Sequence, residues 1–179
     1  MATRVGVLVA CLVLLLAFAM PIHAKVLDVA TVNVILDVPQ VLWVKVNVPQ
    51  LVFEGDDFDT TKNAVMLEDG ILATKLGAVQ VEVGGNVAHI LFISLDDGLK
   101  GPNNAEIPST QMGYRITTAH DDGPWFGMQL KSNTRKALFQ RATSGKTTFK
   151  MDFRLLATWQ DAPGIYEGTI IYTVVPIGS

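Results

Sequence analysis

From Ala30 onward apolar side chains occupy every second position. Ala30, Val32, Val34, Leu36 and Val38 alternate with Thr31, Asn33 and Asp37, the period of a strand with one buried face. Pro39 stops the run, because a proline cannot donate to a ladder. Leu42, Val44, Val46 and Val48 repeat the pattern against Lys45 and Asn47 until Pro49, which leaves Trp43 opposite the valines, either exposed or covering a second layer. Val79, Val81 and Val83 then alternate with Gln80 and Glu82. Gly84-Gly85-Asn86 is turn chemistry that tolerates positive φ, so a hairpin is predicted between this strand and residues 87–95. That second arm is apolar on both faces through Ile90, Leu91, Phe92 and Ile93, which predicts a place in the middle of a sheet.

Between these strands, residues 63–76 read as two short strands about Asp69-Gly70, and the Asp-, Gly- and Asn-rich stretches at 96–104 and 121–124 read as surface loops around a strand at 114–118. Residues 137–142 are expected to meet 146–159 across Ser144-Gly145. In the second of these arms Phe149, Met151, Phe153, Leu155, Ala157 and Trp159 oppose Lys150, Asp152, Arg154 and Thr158. This alternation assigns Trp159 to the core and Asp152 to the solvent face. Residues 165–175, rich in β-branched and aromatic side chains, form the last strand. With many short strands, Gly and Pro turns and no competing amphipathic helix, the predicted fold class is all-β, a single antiparallel β-sandwich.

The first segment concerns address rather than fold. Arg4, an apolar run over residues 5–20 and then Pro21-Ile22-His23-Ala24 match the charged, apolar and cleavage regions of a secretory signal peptide, with cleavage expected after Ala24. The alternative is an uncleaved anchor, for which ~16 apolar residues fall short of the ~20 needed to span. Leu8-Val9-Ala10-Cys11 is similar to a lipoprotein lipobox, but Cys11 lies inside the apolar run instead of closing it. Cys11 is the chain's one cysteine, so cleavage removes disulfide and thiol chemistry altogether. The expected organisation is a signal peptide at 1–24, an N-terminal strand at 25–38 and a sandwich at 39–179. No membrane span is expected after cleavage, and the expected location is extracytoplasmic: periplasmic, cell-surface or secreted.

Composition narrows the function classes. A hydrophobic content of 49% with 17% charged residues argues against disorder. The 14 basic and 17 acidic side chains give a net charge of −3 without a Lys/Arg cluster, so no nucleic acid partner is expected. His89, predicted at a strand surface, and His120, beside Asp121 and Asp122 in a loop, have no metal-ligand spacing around them. Gly-x-Ser-x-Gly is absent. The cluster Glu54, Asp56, Asp57 and Asp59 lacks the ligand spacing of an EF-hand and reads as a solvated acidic turn, with calcium as the alternative. No catalytic, metal or cofactor-binding residue is expected, and the protein is expected not to be an enzyme. Trp125-Phe126, after an Asp-Gly-Pro turn, is a candidate contact with a ligand or another subunit, unless the pair simply anchors its loop to the sandwich.

The run Pro163-Gly164-Ile165-Tyr166-Glu167-Gly168-Thr169-Ile170-Ile171-Tyr172-Thr173-Val174 resembles the closing strand of bacterial secreted immunoglobulin-like subunits, notably chaperone-usher pilins and spore coat protein U relatives. A signal peptide followed directly by an alternating strand is also similar to those pilins. The chain departs from many of them in having no disulfide pair and no penultimate aromatic. The resemblance implies an immunoglobulin-like sandwich and an exported structural or adhesive subunit of a pilus-like fibre, its partners being copies of itself or related surface subunits. In such an assembly Ala30, Val32, Val34, Leu36 and Val38 are the donor strand, inserted into a neighbour by strand addition. Two alternatives stay open: the same segment as the first strand of its own sheet, and a monomeric extracytoplasmic module binding a ligand or carbohydrate.

Overall fold

Three alternating sets of apolar residues meet in one buried cluster: Val79, Val81 and Val83; Leu91, Ile93 and Leu95; and Met151, Phe153 and Leu155. The strands that carry them set the architecture. The computed structural model describes residues 33, 35–117, 123–132 and 136–178. Residues from Val38 onward form one compact unit, to which all the strands belong. In order they are β1 (Leu42–Val46), β2 (Val65–Met66), β3 (Gly70–Gly85), β4 (His89–Leu95), β5 (Leu99–Lys100), β6 (Glu106–Ile107), β7 (Met112–Ile116), β8 (Phe126–Gly127), β9 (Ala137–Arg141), β10 (Gly145–Thr158) and β11 (Ile170–Pro176). Among the described residues there is no α-helix, only short 3-10 turns at Gly55–Phe58, Pro102–Asn104 and Ser109–Gln111.

The larger sheet runs β1-β3-β10-β7-β8, with β2 beside the first part of β3; a three-stranded sheet runs β11-β4-β9, and β5 pairs with β6. Their ladders are antiparallel. The two larger sheets pack through the shared cluster, so the protein is all-β and sandwich-like, as the period-two pattern predicts. Tyr114 and Met112 on β7 complete the core from the larger sheet.

Both predicted hairpins are instead crossings between sheets. β3 already has β1 and β10 on its two edges, so β4 pairs with β11 and β9 in the other sheet. β4 does lie in the middle of its sheet, as its two apolar faces require. Asn86 fixes the crossing, accepting from the Val41 N–H at 2.8 Å and donating to the Pro39 carbonyl at 2.8 Å. β9 and β10 likewise belong to different sheets, and between them the Arg141 side chain donates to the Ser144 carbonyl and to Thr147 Oγ1.

Trp159 is a second correction. β10 ends at Thr158, and the indole N–H donates to the Glu68 carbonyl at 2.9 Å, laying the ring along the β2–β3 turn with 60% of its surface exposed. The third correction is Asp152, which is fully buried. Opposite it the β3–β10 register slips: Met151 faces Val79 but Phe153 faces Lys75, so Leu76, Gly77 and Ala78 form a bulge against one residue. Gly77 takes φ +57°, the left-handed conformation that glycine adopts without steric cost, and this turns its N–H onto Asp152 Oδ1 at 2.7 Å.

Candidate binding surfaces

Of the five donor-strand residues, Ala30, Val32 and Val34 lie outside the described residues, as does His120. Leu36 and Val38 are described, lie in no strand, and are 80% and 62% exposed. Ile35 is 94% exposed and Val41 is also exposed, so apolar side chains at 35, 36, 38 and 41 meet solvent.

Trp125 and Phe126 are both half-buried and lead to opposite sides of the larger sheet. Phe126, on β8, stands in register with the core residue Tyr114 and packs on it with ring centroids 6.0 Å apart. It also lines a cleft of about 150 Å³ together with Ile116, Ala137 and Leu138, and the Lys136 ammonium stands 3.8 Å from its ring centroid. The cleft opens between β7–β8 of one sheet and β9 of the other. Trp125 lies against the two arginines on the outward side, with the guanidinium carbons of Arg115 and Arg154 at 4.6 and 4.8 Å from its ring centroid.

Beneath Trp125 is a polar network that the strand alternation does not reveal. Asp152 Oδ1 accepts from the Gly77 N–H at 2.7 Å and from Thr117 Oγ1 at 2.6 Å, while Oδ2 accepts from Arg115 Nε at 2.7 Å. Burial alone would push the Asp152 carboxyl up, but the bonds from Thr117, Gly77 and Arg115 together outweigh it and hold the group below the usual carboxylate range. Arg154, two residues along β10, is pulled below the ordinary arginine value by its burial and then by the neighbouring Arg115 charge.

The remaining candidates are occupied locally. In the acidic turn Asp57 bonds Lys75 at 2.8 Å and accepts from the Glu54 N–H, Asp59 accepts from Thr61, and Lys62 reaches Asp56 at 3.0 Å. The Lys75 bond is the main reason that the Asp57 carboxyl is lowered. Among the described residues no three His, Cys, Asp or Glu side chains gather as a metal site. His89, expected at a surface, is fully buried: Nδ1 lies 2.9 Å from the Val87 carbonyl, and Nε2 has no hydrogen-bond partner among the described residues. Trp43 is half-buried on the outward side, where its ring crowds Gly84 and meets Lys45 at 5.4 Å.

No helix among the described residues is long and apolar enough to cross a membrane. The chain matches no protein-family model and no curated protein. Among solved structures it is similar to part of a family 123 glycoside hydrolase from Clostridium perfringens, studied for glycolipid glycan hydrolysis, at 13% identity and a TM-score of 0.38. That likeness covers 77% of this chain and 25% of the hydrolase chain, so the protein spans about a quarter of that neighbour's length. A likeness this distant says nothing about what the present chain does.

Proposed function

We propose that the protein is an exported, non-enzymatic structural or adhesive subunit, immunoglobulin-like and pilin-like, that assembles with copies of itself or related subunits by strand donation. The observation that carries this reading is the run of exposed apolar side chains at Ile35, Leu36, Val38 and Val41. A soluble chain rarely leaves such a series in water unless a partner covers it. Of these, Leu36 and Val38 belong to the apolar face that alternation from Ala30 gives the segment, the requirement for a strand added to another sheet, while Ile35 and Val41 fall on its other side.

The outer edge of β9 would be the recipient. Among the described residues no strand pairs with the outer edge of β9, and the apolar cleft lined by Ile116, Phe126, Ala137 and Leu138 lies beside it. An added strand there would pair its backbone with β9 and place alternate side chains in the cleft. The test is assembly of the protein purified from its native cells, followed by size-exclusion chromatography and electron microscopy. Large assemblies are expected, Val34→Asp or Leu36→Asp should abolish them, and Asn33→Asp should leave them intact. A cooperative monomer with a melting temperature independent of concentration would overturn the reading.

A further inference from the structure

β4 opens with His89, on the same side of the strand as Leu91, Ile93 and Leu95, so its ring enters the space between the sheets at the end where β3 crosses into β4. The residue is fully buried. Nδ1 stands 2.9 Å from the Val87 carbonyl, and because a carbonyl can only accept, Nδ1 carries the proton of the neutral ring. Nε2 keeps a bare lone pair, with no hydrogen-bond partner among the described residues.

A second proton would go on Nε2, and the surroundings offer it nothing. On β9 the register partner is Arg141, a like charge whose guanidinium donates to the Ser144 carbonyl and to Thr147 Oγ1. On β11 it is Pro176. From the larger sheet Gly85 faces the ring, where an added Cβ would stand 3.6 Å from Nδ1, with Leu42 of β1 in register beside it. The charged residues of β3 and β1 nearest this end, Glu82 and Lys45, belong to the outward rows, where Glu82 meets Lys146 at 2.6 Å. No carboxylate pairs with His89 among the described residues. A charge placed on this ring would therefore be buried and unpaired.

The crossing beside the ring is lightly held. The Asn86 N–H donates to the Val41 carbonyl at 3.1 Å, the Val41 N–H donates to Asn86 Oδ1 at 2.8 Å, and Asn86 Nδ2 donates to the Pro39 carbonyl at 2.8 Å, all of them exposed. The same Gly85 that faces the ring packs on Leu42 and on the Val41 carbonyl. We propose that His89 is an acid-sensitive latch: protonation of its ring loosens the β3–β4 crossing and releases the chain entering β1 at Pro39 and Val41. An opened crossing takes up a proton as pH falls through the ordinary histidine value of about 6.5, while the closed one has no acceptor for it. Closure is thus complete above that value and is lost progressively below it. A stretch held by few, exposed hydrogen bonds opens well before the whole domain does. This inference is independent of strand donation and stands or falls without it.

The test is amide hydrogen exchange of the full processed chain, read by NMR at pH 7 and pH 5 and corrected for intrinsic exchange. Val41 and Asn86 should be less protected than the amides of the β3–β10 ladder at both values. Their protection should fall by about twentyfold between the two, the ratio that one proton taken up near pH 6.5 produces. His89→Phe keeps a ring and His89→Asn keeps a donor for the Val87 carbonyl; neither titrates, so both should abolish the fall. His120→Gln should preserve it, since His120 is the other histidine that remains after cleavage following Ala24. The proposal is overturned if the wild-type fall is under about threefold, if a folded His89 variant retains it, if His120→Gln removes it, or if Val41 and Asn86 are protected as strongly as the ladder, which would mean that this end opens only with the whole domain.

Discussion

Replacing Asp152 by Asn removes one charge from the middle of the larger sheet while keeping the side-chain shape, and its cost follows from three bonds. Asn retains a carbonyl oxygen for the Gly77 N–H and Thr117 hydroxyl, but it then presents an amide N–H₂ to Arg115 Nε, donor against donor, where the carboxylate now accepts at 2.7 Å. Arg115 is itself 7% exposed at its side chain, so its charge loses a buried partner. Breaking a buried pair from one side costs about 3–5 kcal/mol, a large part of the ~5–15 kcal/mol that holds a domain together. For a chain of this size that corresponds to a fall in melting temperature of roughly 6–20 °C. The pH dependence fixes the sign. The folded-state carboxyl is held below its unfolded value, so its contribution is complete above about pH 4 and is lost as pH falls through the lower folded value. Chemical denaturation of wild type and Asp152→Asn from pH 7 down to pH 2 should therefore show a gap that narrows on acidification. A loss below about 1 kcal/mol at pH 7, or a gap that does not change with pH, would refute the reasoning.

Phe153→Asp places an unpaired charge at a fully buried position between the two sheets and should leave no cooperative unfolding transition by near-UV circular dichroism. Gly77→Ala meets no steric obstacle, since an added Cβ would lie 3.6 Å from its nearest neighbour, Lys150 Cδ, so the loss of about 1–2 kcal/mol in urea melts should come from the φ of +57° alone. Trp159→Ala should cost less than about 1 kcal/mol in the same assay, because the ring is largely exposed and gives up one bond to the Glu68 carbonyl.

What the sequence disclosed was the inward side of each strand. Val79 to Val83 and Met151 to Leu155 bury the side chains that alternation selects, because a sheet face either meets the core or does not, whereas the 87–95 arm, apolar on both faces, left open which of its side chains turn inward. Partnership was another matter. A glycine-rich turn between two alternating runs fits a hairpin and a crossing between sheets equally well, and only the occupancy of both β3 edges decides for the crossing. The outward side was less legible still. Alternation marks Asp152 as polar but carries no sign that β10 is central, that β3 bulges opposite it, or that Trp125 and its arginines lie over that side. A cue existed in Gly77, an isolated glycine inside a β-branched run, which is where bulges tend to occur. Arg154 gave no such cue, since its setting depends on Gly113 and Trp125, which only the sheet order brings together.

The alternation that makes β10 the best strand in the sequence also sets two opposed charges on its outward side, two residues apart. Asp152 stabilises the fold, since its three bonds exceed the burial penalty on its charge. Arg154 has a different setting: its guanidinium lies 4.8 Å from the Trp125 ring centroid and its side chain packs across Gly113, which acts against the burial and the Arg115 charge that pull it below the ordinary arginine value. Neutralising either residue changes the local charge by one unit at nearly the same place, so a general electrostatic effect of the chain's net charge of −3 would predict only small, long-range consequences for each. The local geometry separates them: Asp152→Asn breaks a buried pair and lowers the melting temperature by the margin worked out above, whereas Arg154→Gln gives up one cation–π contact and shifts it by no more than about 2–4 °C, and equal shifts for the two would refute the distinction.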